Sequence, residues 1–280
     1  MDNNGTMFPL ASLRSLSPRR RLLAAGLALL LAAVTAVSLL VTVLRPGAGP
    51  APAPRSRIVP VLLVPGYGGT PSSLAALAAE LRGAGRQVTV VGLPDDGTGE
   101  IGASAAVLGA TVAKTMAATG ADQVDLVGYS AGGLVVRAFL ALPGQAAHAR
   151  HVVLLGTPNH GALLAGLASL LGGRVCSGAC PELAPDSAFL QQLNGPRAVP
   201  PGPDVTSIWT ADDRIVTPPS SAVLDGARNI RLQDICAGAR IDHGGLVRDP
   251  LPLALVSRAL AGSLPARLGP PDCATLRAAA

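Results

Sequence analysis

From residue 58 onward, short runs of apolar and β-branched residues alternate with longer stretches rich in Ala and Leu. Apolar runs of this length predict buried strands, and the longer stretches have helical length. The predicted strands are 58–64, 87–92, 123–127, 151–155, 205–210 and 228–233, and the predicted helices are 71–83, 101–119 and 131–142. Their alternation predicts an α/β fold, in which helices cover both faces of a mostly parallel sheet of about six strands.

Local signals mark the ends of these helices. Thr70 is placed to cap the first helix, and Pro71 fits its first turn. Pro143 and Gly144 end the third helix. The segment 160–203 breaks the alternation with an apolar run, two close cysteines and many prolines. It therefore predicts an insertion over the sheet.

Residues 22–44 contain no charged side chain. As a helix they would extend roughly 35 Å, which is enough to cross a hydrocarbon core of about 30 Å. Four arginines precede them and predict a cytoplasmic segment 1–21, with everything after Leu44 outside. We favour an uncleaved anchor, because a signal peptide has a shorter apolar run. The alternative is a secreted protein, because the small residues at 48–54 could form a cleavage site for a signal peptidase. The Pro/Ala/Gly-rich segment 45–57 predicts a linker to one folded domain, 58–280.

The excess of positive charge behind the net charge of +5 lies in the N-terminal segment. Residues 1–57 carry seven arginines against a single acidic residue, Asp2, whereas the remainder is almost neutral. No basic stripe with interleaved aromatic residues is present, so we expect no nucleic-acid partner. We expect a monomer that contacts the membrane through its N-terminal helix.

Four cysteines follow the membrane segment. In an oxidising compartment they could form two disulfides in any of three pairings, of which we favour Cys176 with Cys180 and Cys236 with Cys273. No histidine stands at zinc-finger spacing from the first two, so we expect no metal site.

The segment Gly128-Tyr129-Ser130-Ala131-Gly132 has the pattern G-x-S-x-G. A predicted strand enters it and a predicted helix leaves it, which is the arrangement of a nucleophile elbow. Gly128 and Gly132 allow the close backbone approach that such a turn needs. Ser130 is therefore the predicted nucleophile.

A serine nucleophile needs a base, and that base needs an acid to orient it. In hydrolases with this elbow the order along the chain is nucleophile, acid, histidine. His243 leaves room for an intervening acid and is preferred over His160, whose alternative role is a loop residue at the pocket rim. His148 and His151 precede a strand at the opposite end of the sheet and are predicted surface residues.

Asp213 is the predicted acid, because it follows a predicted strand at the same end of the sheet as Ser130. Asp212 is the second choice, and Asp225 and Asp234 are less favoured. The tetrahedral intermediate also needs two backbone donors. The N–H groups of Ala131, which follows Ser130, and Tyr67, in the Gly-rich loop after the first strand, are predicted to form this oxyanion hole. The acidic segment 93–100 lacks P-loop and EF-hand spacing and predicts a turn.

Six segments in order resemble the small bacterial lipases and esterases of the α/β-hydrolase superfamily. They are "LVPGYGG", "VDLVGYSAGGLVVR", "LLGTPNHG", "ADDRIVTP", "LDGARNIRL" and "DHGGLV". The resemblance covers most of 58–250 and implies an α/β-hydrolase fold, a Ser130–His243–Asp213 triad and an oxyanion hole at Tyr67 and Ala131. Pro65 stands where such lipases commonly carry histidine, and the cysteine-containing insertion and N-terminal helix are not features of minimal members.

These features predict that 58–280 is the catalytic domain of an extracytoplasmic carboxylester hydrolase, which acts on an ester or lipid through an acyl-enzyme, without metal or organic cofactor. The apolar stretch 161–173 is expected to line an acyl pocket, touch a lipid surface or simply pack as a helix. An acyltransferase would use the same residues with a different acceptor. A membrane-tethered binding module would keep the fold without turnover.

Overall fold

Six parallel strands form one sheet in the computed structural model, which describes residues 17–44, 59–163 and 178–278. The strands are β1 (Val61–Val64), β2 (Val88–Val90), β3 (Val124–Tyr129), β4 (Ala149–Leu155), β5 (Asp204–Trp209) and β6 (Arg228–Arg231). Their spatial order is β2-β1-β3-β4-β5-β6. The predicted six-stranded parallel sheet is confirmed. β1 begins after Pro60, which has no N–H to donate to the ladder.

The two faces of the sheet carry separate hydrophobic cores. In β1, Val61 and Leu63 pack into one core, whereas Leu62 and Val64 pack into the other. This alternation follows from the two-residue period of a strand. Because both sets of side chains are fully buried, β1 has the continuous apolar sequence of a covered strand.

Helices cover both faces, as predicted. They are α2 (Ala75–Gly83), α3 (Ile101–Thr119), α4 (Ala131–Ala141), α5 (Ala179–Glu182), α6 (Ala188–Leu193), α7 (Leu232–Ile235), α8 (Pro250–Leu260) and α9 (Cys273–Ala278). Buried residues of α2 and α8 share one core, and those of α3 and α4 share the other.

The three predicted helices have nearly the predicted bounds. The first begins as a 3₁₀ turn, Pro71–Leu74, before α2. The expected cap by Thr70 is wrong, because its hydroxyl lies 2.7 Å from the Ser72 hydroxyl and makes no capping hydrogen bond. The segment predicted as a turn forms a 3₁₀ turn, Pro94–Gly97.

The described part of the predicted insertion is hydrogen-bonded to the start of α3 and to the loop before it. The N–H of Ala179 donates to the carbonyl of Thr98 at 2.9 Å. Glu182 Oε2 accepts from the N–H of Ile101 at 2.8 Å. Residues 164–177 lie outside the described residues, and with them most of the predicted apolar stretch.

A disulfide joins Cys236, just after α7, to Cys273, the first residue of α9. This is the pairing favoured from the sequence. Cys180 is also disulfide-bonded, while its predicted partner, Cys176, lies outside the described residues. Near the C-terminus the bridge secures α9, whose Leu276 is fully buried.

The chain connects β1 to β2 on one side and then crosses back to β3 on the other. Such a reversal leaves a crevice at the carboxyl ends of the two central strands, where ligands bind in open α/β sheets. The loop after β1 and the turn after β3 both open into this crevice. They carry Tyr67 and Ser130, respectively.

The chain divides into two compact units, Met1–Arg55 and Ser56–Ala280. In the first, helix α1 (Pro18–Leu44) has 27 residues, and its described leucines from Leu22 to Leu39 are exposed. In the second, α3 is the one helix among the described residues that is long and apolar enough to cross a membrane, judged by length and composition alone, whereas Ala25–Leu39 of α1 counts as a shorter apolar helix. Residues such as Leu108 and Val112 on α3 are nevertheless buried in the core.

Candidate active site

Ser130 occupies the sharp turn between β3 and α4. Its backbone has φ 53° and ψ −130°, a conformation that costs free energy for any residue with a Cβ atom. Its N–H donates to the carbonyl of Leu155 on β4 at 2.8 Å. A strained serine at the end of a central strand, held by its neighbour, is the geometry of a nucleophile elbow.

The elbow depends on glycines because backbones meet there without room for side chains. A Cβ atom at Gly128 would lie 2.5 Å from the Cα of Gly133, and one at Gly132 would overlap the carbonyl of Pro65. The packing of Gly132 against Pro65 brings the loop after β1 onto the first turn of α4.

Gly66 places the same loop beside the nucleophile. A Cβ atom at Gly66 would lie 2.9 Å from the Cβ and 3.4 Å from the Oγ of Ser130. The N–H of Gly69 closes the turn by donating to the carbonyl of Gly66 at 3.0 Å. The turn therefore lies beside Ser130, and it includes Tyr67, which is 41% exposed.

Ala131 follows Ser130 and begins α4. An N–H in the first turn of a helix has no acceptor within that helix, and the helix dipole makes this end attractive to negative charge. The structure brings both predicted oxyanion residues, Tyr67 and Ala131, to the wall of one cavity with Ser130.

His243 and Asp213 form a buried pair. The imidazole Nδ1 lies 2.6 Å from Asp213 Oδ2, and the two residues are 7% and 5% exposed, respectively. The other carboxylate oxygen, Oδ1, accepts from the N–H groups of Ile215 at 2.9 Å and Val216 at 2.8 Å. These bonds orient the carboxylate toward the imidazole. With the Nδ1 proton donated to Asp213, the neutral imidazole keeps a lone pair on Nε2.

The end of β4 brings the pair and the nucleophile to the same edge of the sheet. Leu155 accepts the N–H of Ser130. The next residue, Gly156, lies so close to His243 that an added Cβ atom would be 3.2 Å from the imidazole Nδ1 and Cε1. The three predicted triad residues are thus gathered around the carboxyl ends of β3, β4 and β5.

A cavity of about 220 Å³ opens beside Ser130. Most of its surface is apolar, and Cys180 lies at its wall. Its remaining lining comes from Pro158, Ala162, Leu183, Ile215 and Val216. An apolar cavity at a nucleophile suits a substrate with a hydrocarbon portion.

The less favoured candidates lie elsewhere. Asp212 faces Arg240, with 3.8 Å between Oδ1 and Nη1, and Asp234 pairs with Arg231. Asp225 is exposed. His160 is also exposed and its ring lies 3.5 Å from the side-chain amide of Asn194, so it does not join the Asp213–His243 pair.

His151 is not the surface residue predicted from the sequence. Its side chain is 14% exposed, and its Nδ1 lies 2.9 Å from the carbonyl of Leu260. It lies beside buried Asp125, which pairs with Arg150 at 2.6 Å. This cluster occupies the amino ends of the strands, opposite Ser130.

Arg137 organises the loop after β4, a role that the sequence analysis did not assign. It is buried in α4 and donates to Asn159 Oδ1 at 3.3 Å and to Asn194 Oδ1 at 2.7 Å. Burial lowers the pKa of its guanidinium to about 10, so it remains charged at neutral pH. An arginine in an otherwise apolar helix, "GLVVRAFL", was the available signal for a buried polar role.

Tyr129 and Thr210 were also missed. The Tyr129 hydroxyl donates to the backbone carbonyl of His243 at 3.2 Å. The Thr210 hydroxyl donates to the carbonyl of Ile241 at 2.6 Å. Both contacts join residues far apart in the chain, and no local pattern marks them.

Metal ligands do not cluster at this site or elsewhere in the described ranges. Within 17–44, 59–163 and 178–278, no three His, Cys, Asp or Glu side chains are grouped as a metal site would require.

A family model described as the α/β hydrolase fold matches residues 59–169. No curated protein matches the chain in sequence. Among solved structures, lipase B of Aspergillus fumigatus is 21% identical with a TM-score of 0.66, covering 82% of this chain. This chain spans 58% of that lipase.

Two further structures are similar. A mature lipase of Bacillus licheniformis is 20% identical with a TM-score of 0.57, covering 71% of this chain and 90% of its own. An α/β-hydrolase enzyme from a Moroccan lagoon-sediment metagenome is 18% identical with a TM-score of 0.51, covering 71% and 88%, respectively. The sheet order, the elbow and these similarities together identify the chain as a protein with the α/β-hydrolase fold.

Proposed function

We propose that this protein is an extracytoplasmic serine carboxylester hydrolase, a lipase or esterase that works through an acyl-enzyme on Ser130. The observation that carries the proposal is the 2.6 Å contact between His243 Nδ1 and Asp213 Oδ2, at the same sheet edge as the elbow. A buried histidine oriented by a carboxylate is the general base that a serine nucleophile requires.

The proposed chemistry follows from these groups. His243 Nε2 takes the proton of the Ser130 hydroxyl as Oγ attacks the ester carbonyl. The N–H groups of Tyr67 and Ala131 stabilise the oxyanion of the tetrahedral intermediate. His243 then returns the proton to the departing alcohol, and the same base activates water to hydrolyse the acyl-enzyme.

The acyl part of the substrate would occupy the apolar cavity. Leu183, Ile215 and Val216 offer it hydrocarbon contacts, and burial of each methylene contributes about 0.8 kcal/mol. We therefore propose an ester with an aliphatic acyl chain as the substrate.

Two features support a location outside the cytoplasm. The disulfide between Cys236 and Cys273 belongs to an oxidising compartment. Helix α1 has the length and composition of a membrane anchor, and its Thr35 hydroxyl lies 3.0 Å from the carbonyl of Leu31, which satisfies it without water. We propose that α1 anchors a catalytic domain of residues 58–280 through the linker 45–57.

Labelling with a fluorophosphonate tests the enzyme proposal. The full chain in detergent should react at a single serine, and Ser130→Ala should abolish labelling. Ser257→Ala, which removes a half-buried hydroxyl on α8, is the matched control and should label like wild type. If the folded wild-type protein remains unlabelled, both the hydrolase and the acyltransferase hypotheses are rejected. The hypothesis of a binding module without turnover would then remain.

Turnover of a chain-length series of nitrophenyl esters then tests the substrate class. Hydrolysis should increase from acetate to longer acyl chains as the apolar cavity fills. Product analysis with added alcohol distinguishes the hydrolase, which releases free acid, from an acyltransferase, which forms a new ester.

A further inference from the structure

Tyr129 contacts the proposed base at two points. Its hydroxyl donates to the backbone carbonyl of His243 at 3.2 Å. Its ring lies against the imidazole, with 5.0 Å between the ring centroids and 33° between the planes. One residue therefore touches both the main chain and the side chain of His243.

Tyr129 is also bonded directly to the nucleophile residue, because Ser130 follows it in the chain. It is the last residue of β3, which lies between β1 and β4 in the sheet. Gly128 pairs with Val64 on β1, and Tyr129 itself pairs with Leu155 on β4, so both neighbouring strands hold this end of β3 in place. A contact from Tyr129 to His243 consequently fixes the base relative to Ser130 through a single peptide unit.

Asp213 alone does not provide this restraint. It orients the imidazole through Nδ1, but it lies on the loop after β5, separate from the elbow. Movement of the Asp213 and His243 loops together would preserve their mutual contact and still change the distance from Nε2 to Ser130. The Tyr129 hydroxyl opposes that movement because it holds the main chain of His243.

The hydroxyl remains a donor over a wide pH range. Burial, followed by the negative charge of Asp213, raises the pKa of Tyr129 to about 12, with a smaller increase from Asp242 and a decrease from Arg248. A neutral phenol keeps its O–H for the carbonyl of His243.

We propose that Tyr129 is a positioning residue that holds the backbone and imidazole of His243 at a fixed distance and orientation relative to Ser130. The proposal rests on the proposed serine hydrolase function and assigns no chemical step to Tyr129. Its hydroxyl fixes the main chain, and its ring limits rotation of the imidazole.

Tyr129→Phe and Tyr129→Leu separate the two contacts. The phenylalanine keeps the ring and loses the hydrogen bond, and we expect kcat for a nitrophenyl ester to fall about tenfold. The leucine loses both, and we expect about a hundredfold decrease, as expected when a catalytic group is displaced by about 1 Å. KM should change less than twofold, because Tyr129 is absent from the lining of the cavity beside Ser130.

Thr111→Val is the matched control. It removes a half-buried hydroxyl that donates to the carbonyl of Val107 within α3, so it deletes a comparable bond away from the site. Its kcat should equal that of wild type.

Proton NMR supplies a readout that needs no turnover. The Nδ1 proton in the 2.6 Å contact with Asp213 should resonate at low field, assigned by its absence in His243→Gln. We expect faster exchange of this proton with water in Tyr129→Leu, and intermediate exchange in Tyr129→Phe.

The two proposals fail in different ways. If wild type hydrolyses the ester and both Tyr129 variants retain its kcat and its proton exchange, Tyr129 has no positioning role and the hydrolase proposal stands. If wild type has no turnover, the hydrolase proposal fails, and unchanged proton exchange in the variants would also overturn the contact's role in ordering His243. Should the leucine variant fail to fold by circular dichroism, the phenylalanine variant decides alone.

Discussion

Thr210 Oγ1 donates a hydrogen bond of 2.6 Å to the backbone carbonyl of Ile241, two residues before His243. The same hydroxyl accepts from the N–H of Asp212 at 3.2 Å and from Gln233 Nε2 at 2.9 Å. A single fully buried side chain thus joins the loop of the proposed acid to the loop of the proposed base. The contact between Asp213 and His243 depends on how these two loops are held together.

Thr210→Val should therefore lower both stability and kcat. The valine has nearly the same shape but removes the hydroxyl from three hydrogen-bond partners. The carbonyl of Ile241 is the buried one, and leaving it without a donor costs about 1 to 3 kcal/mol of unfolding free energy. Urea denaturation and kcat for a nitrophenyl ester measure the two effects. Thr210→Ser keeps the hydroxyl and should recover most of kcat. A valine variant as stable as wild type would show that the hydrogen bonds of the Thr210 hydroxyl do not hold the two loops together.

Asp213→Asn should remove most activity, while Asp212→Asn should leave it near wild type. The two aspartates are adjacent, but only Asp213 contacts His243; Asp212 faces Arg240. An asparagine at 213 no longer offers a charged acceptor and can favour the wrong imidazole tautomer, which costs roughly 10⁴-fold in kcat in a serine protease with this arrangement. Steady-state kinetics of both variants test the assignment. Equal losses, or a larger loss at 212, would contradict it.

The sequence predicted those parts of the fold that local patterns encode. The central strands β1, β3 and β4 were found because each contains a short apolar run. Ser130 was found because an elbow combines a strand, two glycines and a helix within a few residues. Helix α8 is absent from the predicted elements although Asp249 caps it, accepting from the N–H of Leu251 at 3.0 Å. Pro250 and Pro252 interrupt the helical pattern in sequence, but they occupy the first turn, where no intrahelical N–H bond is lost.

The remaining features of the site are contacts between distant segments. Tyr129 reaches a carbonyl 114 residues away, and Thr210 reaches one 31 residues away. The residue types allow many partners for each hydroxyl, and only the folded sheet selects one. The order of β3, β5 and the His243 loop along the sheet edge is therefore the information that a single sequence did not provide.

Replacing both Cys236 and Cys273 by alanine should lower stability with little effect on the site. Their disulfide closes a loop between residues separated by 37 positions. The chain-entropy relation predicts a loss of about 4 kcal/mol for a loop of this length. Chemical denaturation of the double variant measures the loss, and fluorophosphonate labelling of the native protein checks the site. A loss below about 1 kcal/mol would indicate that non-covalent contacts, such as the packing of Leu276 and the pairing of Arg277 with Asp249, secure α9 without the disulfide.

Glu182 should make stability depend on pH. Its Oε2 accepts from the N–H of Ile101 at 2.8 Å. Burial raises the pKa of its carboxyl group, and the negative charge of Glu100 raises it further, whereas the Ile101 hydrogen bond opposes the increase. The folded protein therefore holds this proton more tightly than the unfolded chain. The resulting stabilisation is complete below the unfolded-state pKa, about 4.5, and is lost as pH rises through the higher folded-state pKa.

Glu182→Gln tests this dependence. The glutamine keeps an oxygen acceptor for Ile101 but has no charge to desolvate, so its stability relative to wild type should increase between about pH 4 and pH 7. Urea midpoints across this range measure the difference. Glu80→Gln on α2 is the matched control, since it removes one negative charge from another half-buried glutamate. If the difference between Glu182→Gln and wild type is constant with pH, or follows the control, the carboxyl group of Glu182 is equally acidic in the folded and unfolded chain.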